Sequence, residues 1–127
     1  MSNVYIVKKI FFFSILLTTW KLLSSPLVET EWVSRNLCEK DVKIIEVGKS
    51  LNSYKVEHIN CASFTNFYSD GWRESSKGVS MSLPDPKKLV TLFEGLGISN
   101  TDHIILYPKK NDSFAMSEVT SIYFTFK

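Results

Sequence analysis

The apolar and polar positions of this chain form short alternating segments of two types. Two apolar runs rich in β-branched residues, Val42–Val47 and His103–Tyr107, are bounded by turn residues and predict strands. Ala62–Phe64 lies between turn-like segments and predicts a third, shorter strand. Asn66–Leu83 contains two glycines and no sustained hydrophobic period. We therefore predict a long surface loop there, and loops of that length often have a function.

Three segments have apolar residues at helical spacing: Thr30 to about Leu37, Pro86 to Leu96, and Phe114 to Phe126. Asp85 is placed to cap the second helix and Gly97 to end it, while Ser113 is placed to cap the third. Strands that alternate with helices predict an α/β fold with a mainly parallel sheet. The last helix runs to Lys127 with no strand after it, so the sequence predicts a sheet that is incomplete at its C-terminal end.

The first 25 residues have the composition of a targeting segment. Lys8 and Lys9 precede an apolar run, Ile10–Trp20, and small residues follow just before Pro26. A basic start, a short apolar stretch and a small-residue exit are typical of a secretory signal. The run is shorter than the roughly 20 residues of a membrane span, and an uncleaved membrane anchor is the alternative. We predict a signal peptide or anchor over residues 1–25, one domain over 26–127, and export to the periplasm or another extracytoplasmic compartment.

The formal net charge of +2 comes from the leader, which contains three lysines and no acidic residue. From Pro26 onward there are 12 basic and 13 acidic residues, a net charge of −1. A nearly neutral domain lacks the basic surface that nucleic-acid binding requires. We therefore predict no nucleic-acid partner, and contact with a membrane only through the N-terminal segment.

Two cysteines, Cys38 and Cys61, leave open whether a disulfide forms, since an oxidising compartment permits one but spacing alone cannot show it. His58 and Cys61 have a usable spacing for zinc ligands. However, neither Cys38 nor His103 has a second ligand close by in sequence, as structural zinc sites usually do. The sequence therefore predicts no metal site and no cofactor.

Three stretches carry a family resemblance: Tyr54–Ala62, Leu83–Ile98 and Val119–Lys127. In order and spacing they resemble the rhodanese superfamily, with its Tyr…Gly-His-Ile-Pro-Gly-Ala signature, the Leu-Pro…Leu-Gly-Ile segment of its two-domain sulfurtransferases, and the helix after its catalytic loop. The resemblance implies a three-layer, rhodanese-like α/β domain. It also implies a kinship with thiosulfate or 3-mercaptopyruvate sulfurtransferases, in which a cysteine persulfide carries sulfur from donor to acceptor.

The chain departs from the family pattern at the position that matters for catalysis. Active members begin the loop after the strong strand with a cysteine, whereas the matching stretch here, Tyr107–Ser113, contains none, and Pro108 removes a backbone donor. The first domain of the two-domain enzymes similarly lacks a nucleophile. The resemblance thus implies a domain that is inactive alone and serves as a supporting or docking half. Its partner would be a catalytic rhodanese domain or a second copy of itself.

Other departures affect single positions. Glu46-Val47-Gly48 stands where the family usually has Asp-Val-Arg, and of the family's signature only His58, Ile59 and Ala62 remain. The resemblance implies that His58 fixes a turn. An alternative function is a thiol enzyme in which Cys61 is a relocated nucleophile, its pKa lowered by His58 three residues before it.

Two loops contain further candidate residues. Lys109, Lys110 and Ser113 lie where a helix N-terminus helps to bind an anion, which suggests a small anion-binding module as another alternative. Asp70, Trp72 and Arg73 belong to a loop that mixes aromatic and charged residues, as interfaces do. The same residues fit a loop folded over the core with Trp72 as an anchor, and the sequence leaves both interpretations open.

Overall fold

The computed structural model describes residues 26–127, so the predicted leader over residues 1–25 lies outside the described part of the chain. Among the described residues, 26–34 and Arg35–Lys127 belong to two separate units. The helices and strands, in chain order, are α1 (Thr30–Arg35), β1 (Val42–Val47), α2 (Leu51–Val56), β2 (Ser63–Thr65), β3 (Glu74–Ser76), β4 (Val79–Ser82), α3 (Pro86–Gly95), β5 (His103–Pro108) and α4 (Ser113–Thr125). Within residues 26–127, none of these helices has the length and apolar character needed to cross a bilayer.

The centre of the second unit is a parallel sheet with the strand order β2-β1-β5. The register pairs Val42 with His103 and Val47 with Pro108 along the whole of β1, and Val47 with Thr65 on the other side. The last four residues of β1 are all buried. A strand buried on both faces is expected for the middle of a parallel sheet. The predicted α/β class, the mainly parallel sheet and all three predicted strands are therefore confirmed.

The helices begin where short polar side chains can satisfy their first backbone N–H groups. The Asp85 carboxylate accepts a hydrogen bond of 2.9 Å from the Lys87 N–H, as predicted. Gly97, at φ +71°, ends this helix in the left-handed conformation that glycine tolerates best. For α4 the predicted cap was one residue off. Asp112, and not Ser113, accepts the hydrogen bond from the Ala115 N–H at 2.9 Å.

Two features of the fold differ from the sequence prediction. The six-residue helix α2 is not apparent from the hydrophobic pattern, because it buries none of its residues and depends on the Ser50 cap. The predicted surface loop Asn66–Leu83 contains the antiparallel hairpin β3–β4 and also inserts Phe67 and Trp72 into the core. The loop prediction over the whole segment was therefore wrong, because aromatic burial, and not periodicity, determines its path.

The core lies between the sheet, α3 and α4. Its buried members are Val47, Phe67, Trp72, Val119 and Ile122, and the partly buried residues packed against them are Leu92, Phe93, Leu96, Leu106 and Phe126. The rings of Trp72, Phe93 and Phe126 form a cluster with centroid separations of 4.8 to 5.9 Å. This aromatic cluster joins the 66–73 segment to both long helices.

Candidate functional site

The carboxyl ends of the three parallel strands meet at one edge of the sheet, which is where open α/β sheets usually place their sites. Backbone hydrogen bonds continue past the strand ends, from the Gly48 N–H to the Thr65 carbonyl at 3.0 Å and from the Lys109 N–H to the Val47 carbonyl at 2.9 Å. The loop after β5, where the resemblance implies a catalytic cysteine in active relatives, is thereby held against the end of β1.

A buried carboxylate lies directly beneath this edge. The side chain of Glu46 is 1% exposed, and its Oε2 accepts a hydrogen bond of 2.7 Å from the Tyr107 hydroxyl. That hydroxyl in turn accepts a hydrogen bond of 3.1 Å from the backbone N–H of Ile59. Burial, together with the hydrogen bond and negative charge of Glu46, raises the pKa of Tyr107 above its ordinary value. The phenol therefore stays protonated and acts as a donor to the carboxylate.

Lys109 completes this cluster and does not point at solvent. Its Nζ lies 3.7 Å from the Glu46 Oε2 and donates a hydrogen bond to the Glu57 carbonyl. We refer to Glu46, Tyr107 and Lys109 as the carboxyl-end cluster. The anion site at Lys109 stays a prediction, and the structure places the Lys109 ammonium beside the buried Glu46 carboxylate.

The start of α4, where the other two predicted anion-binding residues lie, already carries a negative charge. Lys110 is exposed and Ser113 is the first helical residue, but the Asp112 carboxylate occupies the cap position and accepts a hydrogen bond from the Ala115 N–H. A negative cap competes with an external anion for the same donors and repels it. Of the three predicted anion-binding residues, Lys109 thus faces Glu46, whereas Lys110 and Ser113 are exposed.

Gly48 explains how the cluster fits beneath the loop. A Cβ atom at Gly48 would lie 3.2 Å from the Phe64 ring and 3.3 Å from the Lys109 Cβ. Both distances are tighter than ordinary van der Waals contact, so any side chain here requires its neighbours to shift. The Cβ of the family's usual arginine at this position would require Phe64 and Lys109 to move by a few tenths of an ångström.

The two cysteines are bonded to each other in a disulfide, with a Cα–Cα distance of 5.3 Å. The chain contains only these two cysteines, so neither supplies a free thiol in this state. A disulfide sulfur is not a thiolate, so Cys61 would have to be reduced before it could serve as the nucleophile of the alternative thiol enzyme. Among residues 26–127 no cluster of three or more acidic, histidine or cysteine residues could hold a metal ion.

His58 makes local contacts near the end of α2. Its Nδ1 lies 2.8 Å from the Tyr54 carbonyl oxygen, and its ring stacks on the Tyr54 ring with centroids 4.1 Å apart. The Tyr54 hydroxyl reaches across the turn to donate to the Ala62 carbonyl at 2.5 Å. These contacts organise the turn that leads into β2.

The predicted interface residues have separate positions. Trp72 is fully buried, and its Nε1 donates to the Thr65 hydroxyl at 2.7 Å, so it is a core anchor and not a docking residue. Asp70 lies at the surface, where its Oδ2 accepts hydrogen bonds from the Asn66 N–H at 2.7 Å and from the Thr65 hydroxyl at 3.0 Å.

Arg73 links the loop to the C-terminal half of α4. It donates to the Ser121 carbonyl at 2.6 Å, the Thr125 hydroxyl at 2.9 Å and the Trp72 carbonyl at 2.6 Å. Partial burial lowers the pKa of its guanidinium. Its donors serve the fold, which leaves little of the side chain for a partner.

An open groove of about 480 Å³ runs between the 70–74 segment and α3. Its polar wall contains Glu74 and Lys88, which pair with each other at 2.5 Å, and the hydrogen bond and charge of Glu74 raise the pKa of Lys88. The charges of Glu74 and Lys88 therefore largely neutralise each other in this wall of the groove.

Sequence reasoning missed the carboxyl-end cluster and a second buried carboxylate. Glu118 on α4 is buried, and its Oε1 lies 3.4 Å from the Lys49 Nζ, close enough for an ion pair but without hydrogen-bond geometry. The available signal was the charge itself. Glu46 lies between the apolar residues Ile45 and Val47 of β1, and a buried carboxylate requires a donor or a cation nearby.

Comparisons with known proteins find relatives that handle sulfur. The chain is similar to the sulfur carrier protein TtuD of Thermus thermophilus, with 32% identity over 89 residues that cover 70% of this chain and 30% of the relative. It is also 30% identical over 95 residues to thiosulfate/3-mercaptopyruvate sulfurtransferase 1, mitochondrial, of Arabidopsis thaliana, covering 68% of this chain and 24% of the relative. A putative thiosulfate sulfurtransferase of Synechococcus elongatus is 29% identical over 85 residues, which cover 67% of this chain and 26% of the relative.

The chain therefore spans between about a quarter and a third of the length of these relatives. No protein-family profile matches it, and no solved structure does.

Proposed function

Because this chain belongs to the rhodanese superfamily of sulfurtransferases, we propose that it is a non-catalytic domain that supports or docks against a cysteine-bearing sulfurtransferase domain. One observation carries the proposal. The loop after β5 contains Lys109 paired with a buried carboxylate at the place where sulfur chemistry would need a thiolate.

The chemistry of the loop supports this proposal. Persulfide formation needs a thiolate that attacks the sulfane sulfur of an anionic donor such as thiosulfate, and backbone N–H groups or cations that hold the negative charge. Here Pro108 has no N–H, Asp112 adds a carboxylate, and the Lys109 ammonium is already paired with Glu46. The loop lacks both the nucleophile and the electrostatic support for the reaction.

An exposed apolar patch supports the docking part of the proposal. Val79, Met81 and Leu83 lie within five residues of each other and are 61%, 51% and 59% exposed. We refer to these three residues as the hairpin patch. Single exposed apolar residues are ordinary, but clustered ones often mark surfaces that another protein covers. The hairpin patch is therefore the surface that we assign to the catalytic partner domain.

The decisive activity test is thiosulfate-to-cyanide sulfur transfer by the full 127-residue chain, assayed with the disulfide intact and after reduction. We expect no transfer above the uncatalysed rate in either state. The matched variants are Cys61→Ser and Cys38→Ser, each of which leaves a single thiol. Transfer by the reduced chain that disappears in Cys61→Ser but persists in Cys38→Ser would refute the proposal and make Cys61 a nucleophile.

Docking is tested by titrating the chain into a purified cysteine-bearing sulfurtransferase domain from the same genome, by calorimetry. The triple change Val79→Ser, Met81→Ser and Leu83→Ser should weaken binding at least about tenfold, since removing buried apolar area costs roughly 25 cal/mol per Å². The control is Phe114→Ser, which alters a residue that is 76% exposed on α4. Equal loss in both variants, or sedimentation showing only self-association, would contradict the assignment.

We also propose that the chain is exported. The basic and apolar order of residues 8–20 supports this, and so does a disulfide, since disulfides persist mainly in oxidising compartments. Expression in a bacterial host followed by fractionation and N-terminal sequencing tests it. We expect a periplasmic chain that begins near Pro26, or a membrane-bound chain with Met1 retained if the segment is an anchor. A full-length chain in the cytoplasmic fraction would refute export.

A further inference from the structure

The Cys38–Cys61 disulfide lies at the surface and not in the core. Both half-cystines are exposed, and each has a φ of +63°, in the left-handed region. Residues with a Cβ avoid that region because the Cβ crowds the following carbonyl oxygen, and glycine is the usual occupant. A crosslink that joins two such residues combines access for a nucleophile with backbone strain at both of its ends.

We propose that Cys38–Cys61 is a thiol-exchange site, at which an external thiolate reduces the disulfide while the domain remains folded. Exposed or strained disulfides are the ones that exchange readily, whereas unstrained buried ones resist reduction. Attack needs no prior unfolding, because the cysteines already face solvent.

The segment that contains Cys61 is held in place by contacts other than the disulfide. The Tyr54 hydroxyl donates to the Ala62 carbonyl at 2.5 Å, and the Ile59 N–H donates to the Tyr107 hydroxyl at 3.1 Å. On the other side of the bond, the turn after Cys38 is closed by the Val42 N–H, which donates to the Glu39 carbonyl at 3.2 Å. These contacts do not involve sulfur and should persist in the dithiol.

The reaction balances with an external thiol as the reductant. A thiolate attacks one sulfur of the pair, forms a mixed disulfide with that cysteine and releases the other cysteine as a thiolate, which takes up a proton. A second thiolate then attacks the mixed disulfide, which releases the external disulfide and the remaining cysteine. The protein disulfide gains two electrons and two protons, and two external thiols lose them.

The test uses the oxidised full-length chain with dithiothreitol as the probe. Samples are quenched by alkylation at timed intervals, and the oxidised fraction is read by mass spectrometry. Direct attack predicts a rate proportional to thiol concentration, so that about tenfold more thiol gives about a tenfold faster reduction. Urea below the unfolding transition should leave that rate unchanged, and far-UV circular dichroism should show that the reduced chain stays folded.

The opposite results would overturn the proposal. A rate that levels off with thiol concentration and rises steeply with urea would show that reduction occurs only through unfolding. Loss of helical signal on reduction would exclude exchange in the folded domain. As a second measurement, Cys38→Ser and Cys61→Ser are each treated with oxidised glutathione in native buffer. At least one should form a mixed disulfide, and protection of both thiols would contradict an accessible site.

Discussion

Replacing Thr65 by valine should destabilise the domain through a single unpaired donor. Thr65 is fully buried, and its hydroxyl accepts the Trp72 Nε1–H at 2.7 Å while donating to the Asp70 carboxylate at 3.0 Å. Valine has nearly the same shape but no hydroxyl. The change therefore removes two hydrogen bonds and leaves the packing of β2 almost as it was.

The two lost hydrogen bonds differ in their free-energy cost. Asp70 keeps its hydrogen bond from the Asn66 N–H at 2.7 Å and can recruit water, because it lies at the surface. The indole N–H of Trp72 cannot bond to water instead, since Trp72 is 0% exposed. An unsatisfied buried donor costs about 1–3 kcal/mol. We therefore expect Thr65→Val to lower the free energy of unfolding by about 2 kcal/mol, which corresponds to a fall in melting temperature of about 8–16 °C for a domain of this size.

The assay is urea unfolding of the oxidised full-length chain, followed by far-UV circular dichroism so that the signal does not depend on tryptophan. Thr65→Ser is the matched control, because it keeps the hydroxyl and loses one buried methyl group, worth about 1 kcal/mol. Repeating Thr65→Val in a Trp72→Phe background should reduce its cost by about 1–2 kcal/mol, since no indole donor is left unpaired.

Two results would refute this reasoning. If Thr65→Val were as stable as the wild type, the hydroxyl would not matter and packing alone would hold the segment. If the cost of Thr65→Val were the same with tryptophan and with phenylalanine at position 72, the unpaired indole would not be its source.

Three further perturbations test other parts of the structure. Replacing both Cys38 and Cys61 by serine opens a loop with a sequence separation of 23 residues, so the loop-closure model predicts a loss of about 3 kcal/mol in urea unfolding, and a loss below about 1 kcal/mol would contradict it. The pKa of Tyr107 is higher in the folded chain than in the unfolded chain, where it is near 10. The contribution of the Tyr107 hydroxyl to folding stability is therefore complete below pH 10 and is lost as the pH rises above that value. Between pH 9 and pH 11 the urea midpoint should therefore fall less for Tyr107→Phe than for the wild type, and an equal fall in both proteins would argue against the raised pKa. Asp112→Ala removes the cap of α4 and should cost about 1 kcal/mol, whereas Asp112→Asn keeps the acceptor and should cost less; calorimetric melting compares the two, and equal losses would count against the cap.

Local signals in the sequence were sufficient for the regular elements. Val42–Val47 and His103–Pro108 are strands because apolar, β-branched runs between turn residues favour a buried sheet whatever surrounds them. The sequence also predicted that Asp85 caps α3 and that Gly97 ends it, because each residue acts on backbone groups within a few residues of itself. The lack of a cysteine in the loop after β5 could likewise be predicted, because it depends only on the residues of that loop.

The segment between β2 and α3 shows where such signals fail. Glycine and serine spacing indicated a surface loop, yet Trp72 and Phe67 are buried and β3–β4 forms a hairpin. Nothing in the local pattern distinguishes a buried tryptophan from an exposed one. Its position depends on the aromatic cluster with Phe93 and Phe126, which come from two other elements.

By itself the sequence determined the α/β class, the three strands, the main helix and the lack of a sulfur nucleophile after β5, because these depend on neighbouring residues. Only the tertiary structure decided that Lys109 is paired with Glu46 and that Cys38 lies within bonding distance of Cys61. Tyr107 and Glu46 are 61 positions apart and meet because the parallel register places them opposite each other on neighbouring strands. Such contacts follow from how the strands pair, and the hydrophobic pattern of one strand does not specify its partner's register.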